Sequence, residues 1–357
     1  MLKQLVLVIF LSFFSLNLKA QTQQLDFSSV DVFFEFASQL KKGIQPSEEE
    51  WKRFFATPFY DFYSYGSDNV KKFIRNLFTN AFVPEKKKQR DSIFSLSDND
   101  YYKFMVSHLI NVEKEKDRFI LTKQRLLKEN LIDSIFKLTK DFLPADIKKR
   151  VTAPIISFGF YQPEGTANKT GVAADLKLVE DIYDYKMFLA HEAHHYYTSN
   201  LRKKMKTDST NKQLVHVITQ LHLEGIADLI DKKAMLDTKG KGAPPMLYTL
   251  YKKHYTDPIP NLQKVDSLIK IISIQPSSSI ALSKEINNLL PLSGHPHGYY
   301  MAEIIQSVYG KKRLVAILDN PFQFIIQYNK AARKKSVFQF SRQTMNYLKE
   351  LEKKVIS

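Results

Sequence analysis

One five-residue motif constrains this chain more than any other feature. His191, Glu192 and His195 form the pattern H-E-x-x-H. Positions four apart lie on one face of an α-helix, so the two imidazoles can point at one metal ion while the carboxylate lies beside it. The preceding segment 181–190 has apolar residues at helical spacing and acidic residues in its first turn. The sequence therefore predicts that the motif lies within a helix and binds zinc through His191 and His195.

A catalytic zinc site usually takes a third protein ligand and leaves the fourth position to water. Glu224 is the candidate, because the apolar spacing of segment 211–233 predicts a buried helix. Asp228 shares its helical face, and two buried carboxylates without a cation would repel each other. We therefore expect Glu224 to be the third ligand and Asp228 to accept a hydrogen bond from a zinc-bound imidazole. Alternatively, the two acidic residues line a solvated helix edge, and His222 or a more distant group completes the site.

These motifs resemble those of the gluzincin metallopeptidases, in which H-E-x-x-H is followed on a second helix by a Glu and, four residues later, by an Asp. Together with the later segment 294–301, they are similar to a Bacteroidetes family of zinc-dependent peptidases of unknown substrate. The resemblance covers about residues 151–309. It implies one Zn²⁺ per chain, a peptide or protein substrate, and hydrolysis by a zinc-activated water with Glu192 as the general base. The glycine-rich motif of the gluzincin aminopeptidases is missing from the sequence, which disfavours that activity.

A later histidine- and tyrosine-rich segment offers donors for a developing oxyanion. Pro296 disfavours helical geometry at His295, Gly298 permits a close backbone approach, and a helix is expected to follow. We therefore predict a donor-rich loop at a helix start, with His297 and Tyr299 as further catalytic candidates. The alternative is that these histidines and tyrosines are packed aromatic residues with one polar end satisfied.

Two short stretches before the motif predict β-strands. Residues 152–160 and 170–176 contain β-branched and aromatic residues and are separated by Gly, Pro and Asn. In gluzincins a small sheet precedes the metal helix and its edge strand binds extended substrate, which this order resembles. The alternative is an ordinary hairpin capping the core. The predicted fold class is α+β, predominantly α-helical, with a gluzincin-like core and a small sheet before the H-E-x-x-H helix.

The rest of the chain predicts mostly helices. Residues 26–140 show helical patterns rich in Phe, Tyr and Lys, broken by short Gly-, Pro- and Ser-containing stretches. We expect a helical amino-terminal subdomain over residues 21–143 and a zinc peptidase-like catalytic region over residues 144–357.

The first twenty residues predict a secretory signal peptide. Residues 1–4 carry a positive charge, residues 5–16 are dominated by Leu, Val, Ile and Phe, and Ala20 ends a small-residue cleavage site. We therefore expect an exported protein, periplasmic or extracellular after cleavage near Ala20. The sequence contains no cysteine, which excludes disulfides, thiolate ligands and a cysteine nucleophile.

A net charge of +16 makes the chain strongly basic. For an exported protein we expect anionic envelope polymers or lipid head groups as neighbours, and no nucleic acid. Two alternatives to an active peptidase stay open: a zinc-containing protein that has lost turnover, and an envelope-binding protein in which the motif is coincidental. The presence of Glu192 favours an active enzyme, because a purely structural zinc site needs no general base.

Overall fold

The computed structural model describes residues 24–98 and 100–356 of the 357-residue chain. The expected signal peptide, residues 1–20, lies outside the described residues. The described chain is mainly helical with one small sheet, which confirms the predicted fold class. Within the two described ranges, no helix is both long and apolar enough to cross a membrane.

Helices account for most of the described residues. Their bounds in chain order are Ser28–Lys41, Glu48–Phe55, Pro58–Ser64, Asp68–Phe82, Lys87–Phe94, Tyr101–Lys114, Lys116–Lys128, Leu131–Thr139, Ile147–Arg150, Leu176–Asp181, Tyr185–Leu201, Lys212–Asp237, Pro245–Thr256, Ile259–Ile274, Ser279–Leu289, His295–Tyr309, Lys311–Val315, Pro321–Lys335 and Arg342–Val355. Short 3₁₀ turns lie at Pro84–Lys86, Lys140–Phe142, Pro276–Ser278 and Leu292–Gly294.

The chain divides into two compact units, each made of two separate stretches of sequence. The first unit comprises the described residues up to Ser134 together with Ala153–Leu189. The second comprises Ile135–Thr152 and the described residues from Ala190 onward. The strand segment, which we expected within the catalytic region 144–357, thus belongs to the first unit.

A four-stranded sheet lies in the first unit. Its strands are β1 (Leu25–Asp26), β2 (Ile156–Gly159), β3 (Gly165–Ala167) and β4 (Val172–Asp175), in the order β1-β2-β4-β3. Strand β2 pairs in parallel with both β1 and β4, while β3 runs antiparallel to β4. The two predicted strands are therefore neighbours, but they do not form a hairpin with each other, because the connection between them returns through β3.

An aromatic core packs around the residue that follows β2. The ring centroid of Phe160 lies 4.9 Å from that of Phe33, 5.6 Å from that of Phe34 and 5.0 Å from that of Phe119. The carbonyl oxygen of Phe160 accepts a hydrogen bond of 2.9 Å from Tyr60 Oη. Aromatic pairs at such distances each contribute about 0.5–1.5 kcal/mol beyond the burial of their area. Phe160 therefore ties the amino-terminal helices to the strand segment of the same unit.

The second unit is built around one long helix, Lys212–Asp237, which we call the carboxylate helix. It was predicted over residues 211–233. It packs against helices Ser279–Leu289, His295–Tyr309 and Pro321–Lys335. Because neighbours cover it on several sides, most of its residues between Leu214 and Asp231 are buried. The helix Tyr185–Leu201 carries the H-E-x-x-H motif, as predicted, and we call it the motif helix.

The carboxylate helix and the helix His295–Tyr309, which we call the glycine helix, cross at two glycines. A Cβ atom on Gly225 would lie 2.4 Å from the carbonyl oxygen of Gly298. One on Gly298 would lie 2.4 Å from the carbonyl oxygen of Leu221. The two backbones are therefore in direct contact, and this crossing has room for glycine alone.

The glycine helix begins at His295, whereas we predicted a loop up to Gly298. That prediction was wrong because a proline in the first helical turn lacks only an N–H that has no intrahelical partner, and its fixed φ suits the helix. The preceding Leu292, Ser293 and Gly294 have φ values of 54°, 53° and 83°. This left-handed turn directly precedes His295, where the helix starts.

Candidate metal centre

Three side chains from two helices converge in the second unit. His191 and His195 come from the motif helix, and Glu224 comes from the carboxylate helix. The Nε2 atoms of the two histidines are 3.0 Å apart. Glu224 Oε2 lies 2.9 Å from His195 Nε2 and 3.5 Å from His191 Nε2. The structure thus brings together the three residues that we predicted as metal ligands.

The spacing of these three atoms fits a tetrahedral metal ion. Ligand atoms bonded to zinc at about 2.0–2.2 Å are separated by roughly 3.3 Å across a tetrahedral angle. The observed separations of 2.9, 3.0 and 3.5 Å bracket that value. Within the described residues, Glu224 Oε2 is buried and has no aligned hydrogen-bond partner, although an imidazole nitrogen is 2.9 Å away. This geometry is expected for atoms that share one cation.

The charges around the three residues also favour a cation. Burial opposes ionisation of Glu224, but the neighbouring imidazoles, His195 first, hold the pKa of that carboxyl well below its usual range. Burial and Lys232 disfavour the charged form of His191, yet Asp231 and other acceptors raise the pKa of His191 to about 10. The cluster therefore favours an ionised Glu224 and a protonated His191. A metal ion bound there would supply the positive charge in place of that proton.

The carboxylate helix places two further carboxylates and an ammonium group behind His191. His191 Nδ1 lies 3.1 Å from Asp231 Oδ1 and 3.4 Å from Asp228 Oδ1. Lys232 Nζ lies 2.6 Å from Asp231 Oδ2 and 3.2 Å from Asp228 Oδ1. The shorter contact of His191 is thus with Asp231, whereas we expected such a contact from Asp228. Sequence reasoning missed Asp231, although its spacing of seven residues from Glu224 puts the two on one helical face.

Asp228 is fully buried and binds the start of the glycine helix. Its Oδ1 lies 2.9 Å from His295 Nδ1, and its Oδ2 accepts a hydrogen bond of 3.0 Å from Tyr251 Oη. His295 Nε2 in turn lies 3.2 Å from Glu224 Oε2. His295 therefore bridges two carboxylates of the carboxylate helix. Sequence reasoning missed the roles of His295 and Tyr251, which lie 67 and 23 residues from Asp228 along the chain.

His191, Asp228 and His295 form a second group of potential metal ligands. Lys232 Nζ, 3.2 Å from Asp228 Oδ1, already supplies a positive charge at that group. A second ion there would lie beside a buried ammonium group, and like charges in a buried site are costly. The group of His191, His195 and Glu224 is therefore the better candidate for a metal ion.

The other two predicted catalytic residues lie outside this arrangement. His297 is buried with its ring centroid 5.7 Å from that of His254, and neither of its ring nitrogens has a hydrogen-bond partner among the described residues. Burial and His254 lower the pKa of His297 to about 4, so its imidazole is neutral. Tyr299 is buried with its ring centroid 5.1 Å from that of Tyr255. In the described part of the chain, no aligned hydrogen bond or ion pair joins His297 or Tyr299 to the three ligands.

Glu192 and His194 lie next to the ligands on the motif helix but differ in environment. Glu192 is 7% exposed, and burial raises the pKa of its carboxyl against the opposing charges of His191 and His195. A carboxyl pKa shifted toward neutrality suits a group that takes up a proton and returns it. His194 is fully buried, and its Nε2 lies 3.3 Å from the carbonyl oxygen of Phe142.

The fold and the site together define a mainly helical protein in which an H-E-x-x-H helix and a glutamate from a second helix form a candidate metal centre. The chain belongs to the family described as "Putative zinc dependent peptidase (DUF5700)", whose model matches residues 51–337. That range contains all three candidate ligands, and the match confirms the resemblance to zinc-dependent peptidases. No curated protein and no solved structure gives a significant match to the chain.

Asp231→Asn is expected to weaken zinc binding by about 10- to 100-fold, the usual effect of losing a carboxylate that orients a ligating histidine. Asparagine keeps the size of the side chain but removes the charge that faces His191 Nδ1. Competition with a chromophoric chelator measures the zinc dissociation constant. Asp237→Asn is the control, because that exposed carboxylate on the same helix pairs with Lys233 Nζ at 2.7 Å. Equal affinities in the two variants would contradict the role given to Asp231.

Proposed function

We propose that this protein is an exported zinc-dependent metallopeptidase in which Glu192 is the general base for peptide-bond hydrolysis. The convergence of His191, His195 and Glu224 carries the proposal. Three protein ligands that leave a fourth position open are typical of catalytic zinc, whereas structural zinc is usually closed by four. Membership of a family described as zinc-dependent peptidases supports the same reaction class.

Each residue of the site has a separate task in this proposal. Zinc would polarise the scissile carbonyl and lower the pKa of a water molecule. Glu192 accepts a proton from that water and returns it to the leaving amine. Asp231 holds the ring of His191 through Nδ1, and His295 steadies the carboxylate of Glu224 from 3.2 Å away.

Neither His297 nor Tyr299 is retained as an oxyanion donor in this proposal. Both are buried among aromatic rings, and the pKa of Tyr299 is raised by burial and by Glu303. Such environments favour packing over contact with a substrate.

Export and partners are part of the proposal and are supported by the sequence. We propose that residues 1–20 are removed as a signal peptide and that the net charge of the remaining chain, +14 once Lys3 and Lys19 are lost, favours contact with anionic envelope components. The amino-terminal sequence of the exported protein tests the cleavage, with Gln21 as the expected first residue.

Elemental analysis tests the metal site. Chelator-washed wild-type protein reloaded with zinc is expected to hold one ion per chain, and His195→Ala and Glu224→Ala are expected to hold none after the same treatment, because each loses a ligand. His216→Ala is the control, since it removes an exposed histidine from the carboxylate helix. Wild-type protein that holds no stoichiometric metal, or that hydrolyses peptides equally well after chelation, would overturn the proposal.

A further inference from the structure

Arg202, one residue beyond the motif helix, is a half-buried cation without a partner. Among the described residues, no carboxylate lies within ion-pair distance of its guanidinium, and its side chain makes no hydrogen bond. Arg53, Arg75 and Arg118, by contrast, each pair with a glutamate at 2.5–2.7 Å. A guanidinium that has lost part of its hydration without gaining a partner is costly. A ligand that brings an anion would remove this cost.

Arg202 lies on the face of the motif helix that carries the ligands. It follows His195 by seven residues and His191 by eleven, which places it about 20° to either side of them at 100° per residue. Arg202 N donates to the carbonyl oxygen of Thr198 at 3.1 Å, so helical hydrogen bonding continues to this residue. Because Cα–Cβ bonds tilt toward the helix N-terminus, we expect the long side chain to extend back toward His195.

The charge of Arg202 is balanced differently with and without a metal ion. Burial lowers the pKa of Arg202, and the negative charge of Glu224 acts in the opposite direction, so the guanidinium lies within electrostatic reach of the third ligand. A zinc ion bound to Glu224 would neutralise that carboxylate. Arg202 would then be an uncompensated positive charge near the candidate metal centre.

The spacing from the ligands to Arg202 matches the end of a peptide. The Cα atoms of His195 and Arg202 are about 10.5 Å apart along the helix axis, and an arginine side chain directed back along the face spans most of that distance. The remaining few ångströms correspond to one extended residue, at about 3.3–3.6 Å. A planar guanidinium binds a carboxylate through two parallel hydrogen bonds. The carboxylate that every linear peptide carries is its C-terminus.

We propose that Arg202 binds the C-terminal carboxylate of the substrate, so that the protein is a carboxypeptidase that releases the last residue. This inference rests on the proposed peptidase function. In the reaction, the oxygen of water bonds to the scissile carbonyl carbon and the C–N bond breaks. Glu192 passes the water's proton to the departing nitrogen, and no other reactant is needed.

A binding measurement without turnover tests the contact. Zinc-loaded Glu192→Gln protein is titrated by calorimetry with four N-acetylated tripeptides, Ac-Ala-Ala-X with X as Ala, Phe, Lys or Glu, each as free acid and as amide. At least one acid is expected to bind about 10- to 100-fold more tightly than its amide, the range for a charge-assisted bidentate contact. Adding Arg202→Met is expected to abolish this difference. Equal binding of acids and amides in the parent protein overturns the proposal.

A matched control separates this contact from a general charge effect. Lys203→Met removes the neighbouring cation, which is paired with Asp319 Oδ2 at 2.9 Å and is 55% exposed. This variant loses the same charge as Arg202→Met, and it is expected to keep the full preference for acids over amides. An equal loss of preference in both variants would assign the effect to net charge and overturn the role of Arg202.

Hydrolysis distinguishes failure of this inference from failure of the proposed function. Zinc-loaded wild-type protein is given a peptide library, with free or amidated C-termini, and the cleaved bonds are located by mass spectrometry. Cleavage one residue from free C-termini is expected, with a raised KM in Arg202→Met. If internal sites, including those beside acidic residues, or amidated ends are cleaved as fast as free C-termini, the inference is overturned. The peptidase function is then left intact. No cleavage by the zinc-loaded protein contradicts the peptidase function itself, while calorimetry still decides on the carboxylate contact.

Discussion

Glu192→Gln is expected to lower peptide hydrolysis by about 10²- to 10⁴-fold, the usual contribution of a general base, while zinc stays bound. Glu192 is only 7% exposed, so its replacement must fit the same space. Glutamine has nearly the same shape as glutamate, and we therefore expect the fold to be kept. The amide cannot accept a proton from water. The three candidate zinc ligands are untouched, because Glu192 is not among them. Hydrolysis rates and zinc content of the same preparation measure both effects.

The control for this prediction is Glu350→Gln, since Glu350 is exposed and pairs with Lys353 Nζ at 2.8 Å on the surface. It should keep both zinc and activity. If Glu192→Gln lost zinc as well, the carboxylate would be a ligand and not a base. If it kept full activity, the proton would be taken by another group, and the mechanism proposed for this site would fail.

Gly298→Ala is expected to lower the free energy of unfolding by about 2 kcal/mol or more and to weaken zinc binding. The added Cβ would lie 2.4 Å from the carbonyl oxygen of Leu221 and 2.9 Å from the amide nitrogen of Gly225. Backbone atoms cannot move away without shifting a helix, and overpacking of this kind costs about 1–3 kcal/mol or more. Separating the two helices would also move His295 from Glu224. Denaturant unfolding of the metal-free protein and chelator competition measure the two effects.

Helix propensity makes the sign of this result informative. Alanine is favoured over glycine within a helix by about 0.5–1 kcal/mol, so without the contact the variant would be more stable. A net gain in stability would therefore show that the two backbones are not in contact. Ser307→Ala, at an exposed position of the same helix, is the control and should change stability by no more than about 0.5 kcal/mol.

The candidate metal ligands could be predicted from sequence because each is marked by a pattern within a single helix. His191 and His195 are one helical turn apart, and Glu224 lies in a segment whose apolar pattern alone predicts a buried helix. In the structure, each pair of these side chains has ligand atoms, imidazole Nε2 or carboxylate Oε2, no more than 3.5 Å apart. Periodicity within single helices was therefore enough for the predominantly helical class and for the residues at the centre of the site.

The contacts around the ligands could not be predicted in the same way, because they join distant parts of the chain. His295 reaches Asp228 across 67 residues, and its position depends on the left-handed turn before it. Pro296 predicts a loop at His295 because a proline disfavours helical geometry in the residue before it. A proline in the first helical turn is the exception, since its fixed φ suits the helix. Asp231 could have been identified from the sequence, because its spacing of seven residues from Glu224 puts both on one helical face. The sequence alone does not favour Asp231 over Asp228 as the partner of His191.

The interleaved make-up of the first unit has a consequence for the order in which the chain folds during synthesis. Residues leave the ribosome amino end first, and domains tend to fold as units as they emerge. Strand β1 has its partner in β2, at the pairing of Leu25 with Ile156, and the rings of Phe33 and Phe119 meet that of Phe160. The amino-terminal helices must therefore wait for roughly the first half of the chain before their core can close. Cleavage that removed these helices would take away a strand and several of the rings packed around Phe160, so they are an integral part of the first unit.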